Sequence, residues 1–383
     1  MRSHFLKRRL FMNKNRHSFL LVLIAIISTT PLNLFTSAIT QEPLLPRLPL
    51  FNRFPSLTSK VACTPLGLLP TPLEKKAHVA KTLQLETLFV KRDDLSGGLF
   101  GGNKVRKLEF LLGQATAEQA NHVVTWGQPG SSHIAATAIY CHKLGLPCTC
   151  MYLPVPNQPQ NERNTQLTKD HGAIEESYRG FGAREQALYK KNAAHREQTG
   201  KSMFFVPEGA SDVLGALGFV NAVCEVAEQL KEQQEPFPDF IYLLSSSSGS
   251  AAGFLVGLDL LNINTTVVIV ALQPDAYPNQ HQTKIEKLYA MIMEYIVHLD
   301  LRIGTYTSPQ NQVLYRHGFA VSSEKQLQTT AATAQTFFQK QLGCSLDPVF
   351  ATRLWSAFLL DCNTELVHNK RVLLWNTGPL SVV

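Results

Sequence analysis

The feature that most constrains the fold is a regular alternation of short apolar runs with longer helical stretches after residue 60. The short runs are apolar or β-branched, which is typical of buried strands. This alternation predicts an α/β fold with mostly parallel, twisted sheets that carry helices on both faces. The predicted strands cover 88–91, 122–126, 148–153, 203–206, 240–244, 266–272 and 372–375, and the predicted helices cover 105–115, 135–144, 214–230 and 284–297.

The length of 383 residues allows one large domain or two ordinary domains. A hydrophobic fraction of 44% with only 17% charged residues excludes a mainly disordered chain. We expect two domains, a large one built from 60–109 and 206–383 and a smaller one from 110–205. A ligand cleft is expected between them. Residues 41–59 are rich in Pro and Leu and predict a linker or an arm.

The first 40 residues have the composition of a targeting segment. Six Lys and Arg residues precede the first acidic residue, Glu42, and the apolar run FLLVLIAII follows them at 19–27. Small residues at 36–38 offer a cleavage site, which completes the three parts of a secretory signal peptide. A membrane anchor and a buried strand or helix are the alternatives. We expect an exported or anchored protein if the segment is a signal, and a cytoplasmic one otherwise.

The net charge of +7 does not indicate a nucleic-acid partner. Without the six N-terminal basic residues, 30 Lys and Arg face 29 Asp and Glu, so the rest of the chain is nearly neutral. The seven cysteines are scattered and form no C-x-x-C pair, which disfavours a disulfide framework or a zinc site. We expect them to be small buried side chains. The 12 histidines show no metal-ligand spacing, and we expect no metal.

A glycine-rich segment presents Lys104 at the start of a predicted helix. Four glycines, at 97, 98, 101 and 102, precede this lysine. Glycine lets the backbone approach a bound group closely and adopt positive φ. Partial burial would lower the pKa of the Lys104 amine, which could then form a Schiff base. The alternative is an ordinary surface lysine after a turn.

Two further turns follow predicted strands. The run SSSSGSAAG at 245–253 separates a strand from an apolar helical run, an arrangement that favours anion binding at the helix N-terminus. No G-K-[ST] sequence follows, so a cofactor monophosphate is favoured over a nucleoside triphosphate, with a plain flexible turn as the alternative. In the turn WGQPGSSH at 126–133, Ser131 can cap a helix, the commoner role, or lie over a ligand as a proton relay or carboxylate donor.

Together these motifs resemble the pyridoxal-phosphate enzymes of the tryptophan-synthase β fold (fold type II). The most similar branch is that of D-cysteine desulfhydrase and 1-aminocyclopropane-1-carboxylate deaminase. The string GGNKVRKLE at 101–109 is highly specific for it. The other motifs occur in family order: PTPLE at 70–74, KRDDL at 91–95, the Ser131 turn, PEGAS at 207–211, LGALG at 214–218, the serine loop, LDPV at 346–349 and NTG at 376–378.

The resemblance implies that the cofactor is pyridoxal 5'-phosphate and that the protein is a homodimer. Lys104 would form the Schiff base and would be catalytic together with Ser131, and Thr377 would bond to the pyridine nitrogen. The serine loop would hold the phosphate. The resemblance assigns the cofactor site to Asn103, Lys104, Ser132, Ser247, Ser248, Gly249, Ser250 and Thr377, and the substrate site to Ser131, His133, His317 and Phe350.

The implied reaction is α,β-elimination on a small amino acid, in which the freed Lys104 amine removes the Cα proton. The products would be a 2-oxo acid, ammonia and a leaving group such as sulfide. Ser132 replaces a family asparagine that contacts the cofactor, and Phe350 and His317 stand where the family has tyrosines. With Ala351 in place of the deaminase glutamate, ring opening of 1-aminocyclopropane-1-carboxylate is disfavoured. A non-catalytic cofactor-binding homologue and a β-replacement synthase of the same fold are the alternatives.

Overall fold

The structure is a computed structural model. It describes residues 48–153, 161–272, 278–304, 308–319, 336–337, 340–341 and 351–378. The predicted signal or anchor segment at 1–40 and the predicted substrate residue Phe350 lie outside these ranges.

The larger sheet has six strands in the order β1-β2-β10-β7-β8-β9. β1 is antiparallel to β2, and all other neighbours are parallel, so the carboxyl ends of β2, β7, β8, β9 and β10 lie along one edge. The strands are β1 (Leu73–Lys75), β2 (Thr87–Arg92), β7 (Phe240–Ser245), β8 (Thr266–Ala271), β9 (Gln312–Arg316) and β10 (Arg371–Asn376).

The smaller sheet has four parallel strands in the order β5-β4-β3-β6. They are β3 (Val123–Gly127), β4 (Cys148–Tyr152), β5 (Ile174–Ser177) and β6 (Phe204–Val206). All four therefore lie between residues 123 and 206, near the predicted smaller domain at 110–205. The six cysteines that the structure describes form no disulfide, and five of them are buried, as expected from their scattered spacing.

Helices cover both faces of the larger sheet, as the sequence predicts. Alternate residues of one strand enter different apolar clusters: Leu373 and Trp375 pack with α7, α8 and α9, whereas Val372 and Leu374 pack with α2 and α10. The helices are α1 (Pro49–Arg53), α2 (Ala77–Thr82), α3 (Asn103–Ala117), α4 (Ser132–Lys143), α5 (Glu162–Asp170), α6 (Phe181–Thr199), α7 (Val213–Glu232), α8 (Gly249–Leu260), α9 (Pro278–Leu299) and α10 (Ala351–Asn363).

Residues 48–57 are an arm packed against the core. Leu50 and Leu57 are fully buried in the cluster that includes α7, and Phe51 lies beside them. The backbone N–H of Leu50 donates to the Asn221 side chain on α7 at 2.9 Å. The predicted linker or arm at 41–59 is thus packed against the core where the structure describes it, over residues 48–57.

Candidate active site

The start of α3 joins three segments that the sequence assigns to one site. The Asn103 backbone N–H donates to the carbonyl of Thr377, just after β10, at 3.2 Å. The Asn103 side-chain amide reaches the Ser250 hydroxyl, in the first turn of α8, at 3.3 Å. Lys104, the serine loop and the β10 end are therefore neighbours at the carboxyl edge of the larger sheet.

Lys104 is a partly buried amine with a hydrogen-bond acceptor beside it. Its Nζ donates to Asn103 Oδ1 at 2.7 Å. Burial lowers the pKa of Lys104 to about 8. About a tenth of this side chain is therefore the neutral amine at pH 7, far more than for a free lysine, and the neutral amine is the form that acts as nucleophile or base.

The glycine-rich segment folds as a tight loop that ends at Lys104. The Asp93 carbonyl accepts from Gly102 N at 2.8 Å, and the Ser96 hydroxyl donates to the Gly102 carbonyl at 2.8 Å. Gly102 has φ 96°, and a methyl group at Gly101 would lie 2.3 Å from the Asp94 carbonyl. These two positions therefore require glycine.

A buried ion cluster lies under this loop. The Asp93 carboxylate accepts from Arg106 Nη2 at 2.7 Å and from the indole N–H of Trp375 at 2.8 Å. Glu225 accepts from Arg106 at 2.7 Å and from Lys91 at 2.5 Å. The four charged side chains are at most 3% exposed, and two cations balance two anions. The cluster links β2, α3, α7 and β10 at the point where the glycine-rich segment begins.

Lys107 and Ser211 extend the serine loop into an anion cradle. The Lys107 ammonium donates to the Ser211 hydroxyl at 2.9 Å and to the Gly209 carbonyl at 3.1 Å, and Ser211 Oγ donates to Ser247 Oγ at 2.8 Å. A methyl group at Gly249 would lie 2.6 Å from Ser211 Oγ and 3.0 Å from Lys107 Nζ. The hydroxyls of Ser211 and Ser247, the amine of Lys107 and the glycine backbone at 249 thus lie together at the start of α8, where a phosphate binds favourably.

Sequence reasoning missed Lys107 and Ser211 as site residues, although both lie in motifs that it singled out. Lys107 follows Lys104 by three positions on α3, so the two side chains share a helix face. Burial lowers the pKa of Lys107 well below its usual value, and the Lys104 charge lowers it further. A bound anion would supply the negative partner that favours the Lys107 ammonium.

Polar atoms without partners lie at the ends of two strands that lead into this region. Ser245 Oγ, at the end of β7, and Asn376 Oδ1, at the end of β10, are buried and have no hydrogen-bond partner. Buried polar atoms are nearly always hydrogen-bonded in native proteins, so these positions suit a polar ligand. Thr377 is buried directly after Asn376. The cradle, the free amine and these atoms together fit pyridoxal phosphate.

The turn before α4 brings His133 near the two lysines. Ser131 Oγ accepts from the His133 backbone N–H at 3.2 Å, so the capping interpretation of Ser131 is confirmed. The His133 ring is buried, and its pKa is held well below its usual value by burial and then by Lys104 and Lys107. Ser132 Oγ instead accepts from the amide of Asn164 on α5 at 3.3 Å, so this hydroxyl is engaged by a protein group.

The remaining predicted residues are Ser248 and His317. Ser248 is buried and left-handed, with φ 71°, and its Oγ lies 3.5 Å from Nδ1 of His281. His281 belongs to none of the predicted motifs. It is fully buried, and its pKa is lowered to about 4 by burial, Lys284 and His317. His317 follows β9 and stacks on Tyr315. No contact between His317 and the serine loop is seen in the part of the chain that the structure describes.

Comparisons with known proteins identify the family of this chain. The family described as "Pyridoxal-phosphate dependent enzyme" matches residues 65–337. D-cysteine desulfhydrase of Serratia proteamaculans is 31% identical over 296 residues, which cover 76% of this chain and 84% of that protein. Nocardicin C-9' epimerase of Nocardia uniformis is 33% identical over 54% of this chain and 62% of its own length.

A solved structure described as an ACC deaminase homologue superposes with a TM-score of 0.68 at 25% identity, covering 85% of this chain and 94% of that one. The fold is thus shared with a solved member of this group of enzymes, and the family match covers the segment that contains Lys104 and the anion cradle. This chain belongs to the pyridoxal-phosphate-dependent enzyme family, and pyridoxal phosphate is its cofactor.

Proposed function

We propose that the protein is a lyase that eliminates ammonia and a β-substituent from a small amino acid, as the name D-cysteine desulfhydrase describes for its Serratia relative. The observation that carries this proposal is the position of Lys104. Its amine has a pKa lowered to about 8 and lies on the same helix face as Lys107 of the anion cradle. A cofactor phosphate in the cradle would hold the reactive carbon near this amine.

The cofactor would be held by groups from both ends of the site. Lys107, Ser211, Ser247 and the backbone at Gly249 would bind the phosphate, together with Ser248 and Ser250 of the same loop. Thr377 would bond to the pyridine nitrogen, and Asn103 links that end to the Ser250 hydroxyl. When bound, the cofactor supplies an electron sink for the negative charge that develops at the substrate Cα.

Proton movement would belong to Lys104. The neutral amine takes the Cα proton, and Asn103 Oδ1, at 2.7 Å, accepts a hydrogen bond from the resulting ammonium. The N-terminus of α4, which begins beside Ser131, would favour a substrate carboxylate. The Ser131 oxygen accepts from the His133 backbone, so the Ser131 hydroxyl hydrogen remains available to a substrate.

The first test is the visible absorption spectrum of the purified protein. We expect a cofactor band that borohydride removes while it attaches the cofactor covalently to the chain, and we expect no covalent attachment in K104A, which can still bind the cofactor non-covalently, whereas the matched variant K143A shows it. Lys143 lies at the other end of α4, where its Nζ donates to the Leu66 carbonyl. A colourless wild-type protein that stays colourless with added cofactor would contradict the proposal.

The second test is a panel of D- and L-amino acids in deuterated water. A 2-oxo acid with ammonia, and sulfide from cysteine, is expected for the lyase. Exchange of the Cα hydrogen without release of ammonia would instead identify a racemase or epimerase. Formation of a new amino acid when a thiol is added would identify a β-replacement synthase. A normal cofactor band without any turnover would favour the non-catalytic homologue, the alternative raised by the serine at position 132 in place of the family asparagine.

Three further proposals complete the expected organisation. The protein is a homodimer, measurable by light scattering. Its domains divide at 110–205, measurable by limited proteolysis. Residues 1–40 are a signal or an anchor, and N-terminal sequencing of the mature protein would show whether they are removed.

A further inference from the structure

The side chain of Thr125 determines which ring nitrogen of His133 carries hydrogen. Thr125 lies on β3 and is fully buried. Its hydroxyl oxygen is 2.8 Å from the Val206 carbonyl on β6 and 2.8 Å from His133 Nε2. A carbonyl can only accept, so the single hydroxyl hydrogen goes to Val206. The Thr125 oxygen must therefore accept from His133, which places the ring hydrogen on Nε2.

The other nitrogen of this ring then presents a lone pair. His133 Nδ1 is buried and has no hydrogen-bond partner, which is uncommon for a buried polar atom in a native protein. The charged groups that act on the ring are the ammoniums of Lys104 and Lys107 on α3. Both oppose protonation of the imidazole, so the ring is neutral. The buried Nδ1 acceptor, on a ring that feels the charge of Lys104, can therefore take a donor supplied within the site.

We propose that Thr125 is a positioning residue that holds His133 in the Nε2–H tautomer, so that Nδ1 accepts a hydrogen bond from an amine N–H in the active site. The amine is that of the bound amino acid or that of Lys104 once it is free. The identity of this ligand rests on the proposed function, whereas the tautomer rests on the contacts of Thr125 alone. The opposite tautomer would present a donor and would repel an ammonium.

The tautomer can be read directly from the histidine ring nitrogens. The protein is loaded with cofactor and labelled with 15N-histidine, and the ring-nitrogen signals of His133 are assigned as those that disappear in H133N. We expect a pyrrole-type Nε2 and a pyridine-type Nδ1 from about pH 6 to about pH 8, the range in which a free histidine titrates. A ring with hydrogen on Nδ1, or one that titrates in this range, would overturn the proposal.

Matched threonine variants separate positioning from packing. T125V keeps the shape and removes the acceptor, so we expect loss of the single-tautomer pattern, whereas T125S should keep it. T137V is the control, because Thr137 is also fully buried but donates to the His133 backbone carbonyl and not to the ring. We expect kcat/KM to fall about tenfold or more in T125V and less than about threefold in T125S. An unchanged tautomer in T125V would refute the positioning role, even if that variant were less stable.

Glycine, which has no β-substituent to lose, tests the acceptor role. We expect it to shift the Nδ1 resonance of the loaded protein, and no shift would overturn this part. If the shift persists in K104A loaded with cofactor, the donor is the glycine amine, and if it disappears, the donor is Lys104. The proposed function fails separately, as an absence of turnover across the amino-acid panel, and leaves the tautomer measurement intact.

Discussion

Replacing Lys107 with methionine should separate recognition of the cofactor phosphate from recognition of the rest of the cofactor. Lys107 Nζ lies at the serine loop, with the Ser211 hydroxyl at 2.9 Å and the Gly209 carbonyl at 3.1 Å. Methionine keeps the length of the side chain and removes the charge and the donors. We therefore expect K107M to bind pyridoxal phosphate more weakly and to bind pyridoxal, which lacks the phosphate, as the wild type does.

The size of the effect follows from the bond that is lost. A hydrogen bond to a charged group contributes about 1.5–3 kcal/mol, which corresponds to a loss of roughly 10- to 150-fold in affinity. The pH dependence should change as well. Burial lowers the Lys107 pKa in the free protein, and a phosphate dianion raises it again, so binding takes up a proton. The affinity of the wild type for the phosphorylated cofactor should therefore fall as the pH rises, and K107M should lose this component.

The assay is a titration of the apoprotein with each compound, followed by visible absorption. K143M is the matched control, since Lys143 contacts a backbone carbonyl away from the loop. If K107M weakened both compounds equally, the lysine would act on the fold of the site and not on the phosphate. If it weakened neither, the cradle would not be the phosphate site.

Three further outcomes can be measured. E225Q should lower the free energy of unfolding in urea by about 3–5 kcal/mol, because it leaves two buried cations facing one anion. The control E235Q changes a partly exposed pair, so it should lower the free energy of unfolding by less than about 1 kcal/mol. Similar losses in the two variants would contradict this reasoning. G249A should weaken pyridoxal phosphate about tenfold or more because its methyl group would crowd Ser211, whereas G182A, with open space around it, should bind normally. The rate at which apoprotein Lys104 condenses with the cofactor should rise as the pH passes about 8 and then level off, since burial lowers its pKa and the neutral amine is the reacting form. A rate that keeps rising towards pH 10, where a free lysine titrates, would show that burial does not shift this group.

The sequence predicted every central strand but only one of the four edge strands, β6. All seven predicted strands end within one residue of those observed, because a parallel strand covered on both faces must be apolar along its length. The three strands that were missed, β1, β5 and β9, are all at sheet edges. β5 reads Ile-Glu-Glu-Ser and its Ile174 is 51% exposed, so no apolar run marks it.

A similar division applies to the site. Lys104 and the serine loop are each contained in a short local motif, and the sequence identified both. Ser211, in the turn between β6 and α7, and His281, on α9, contact the serine loop only in the folded chain. The tautomer of His133 depends on Thr125, eight positions away and on another element. Contacts of this kind depend on the tertiary fold, which no short spacing encodes.

The packed arm at 48–57 also limits how the protein can be processed. The match to the family begins at residue 65, yet Leu50 and Leu57 are already fully buried against the core. Burying each such side chain stabilises the fold by about 2 kcal/mol. A protease that removes a leader up to residue 47 would leave this contact intact. Cleavage at residue 65, where the family match begins, would remove the arm and expose the apolar side chains of α7 that it covers. The working unit of the enzyme therefore begins well before the region that defines its family.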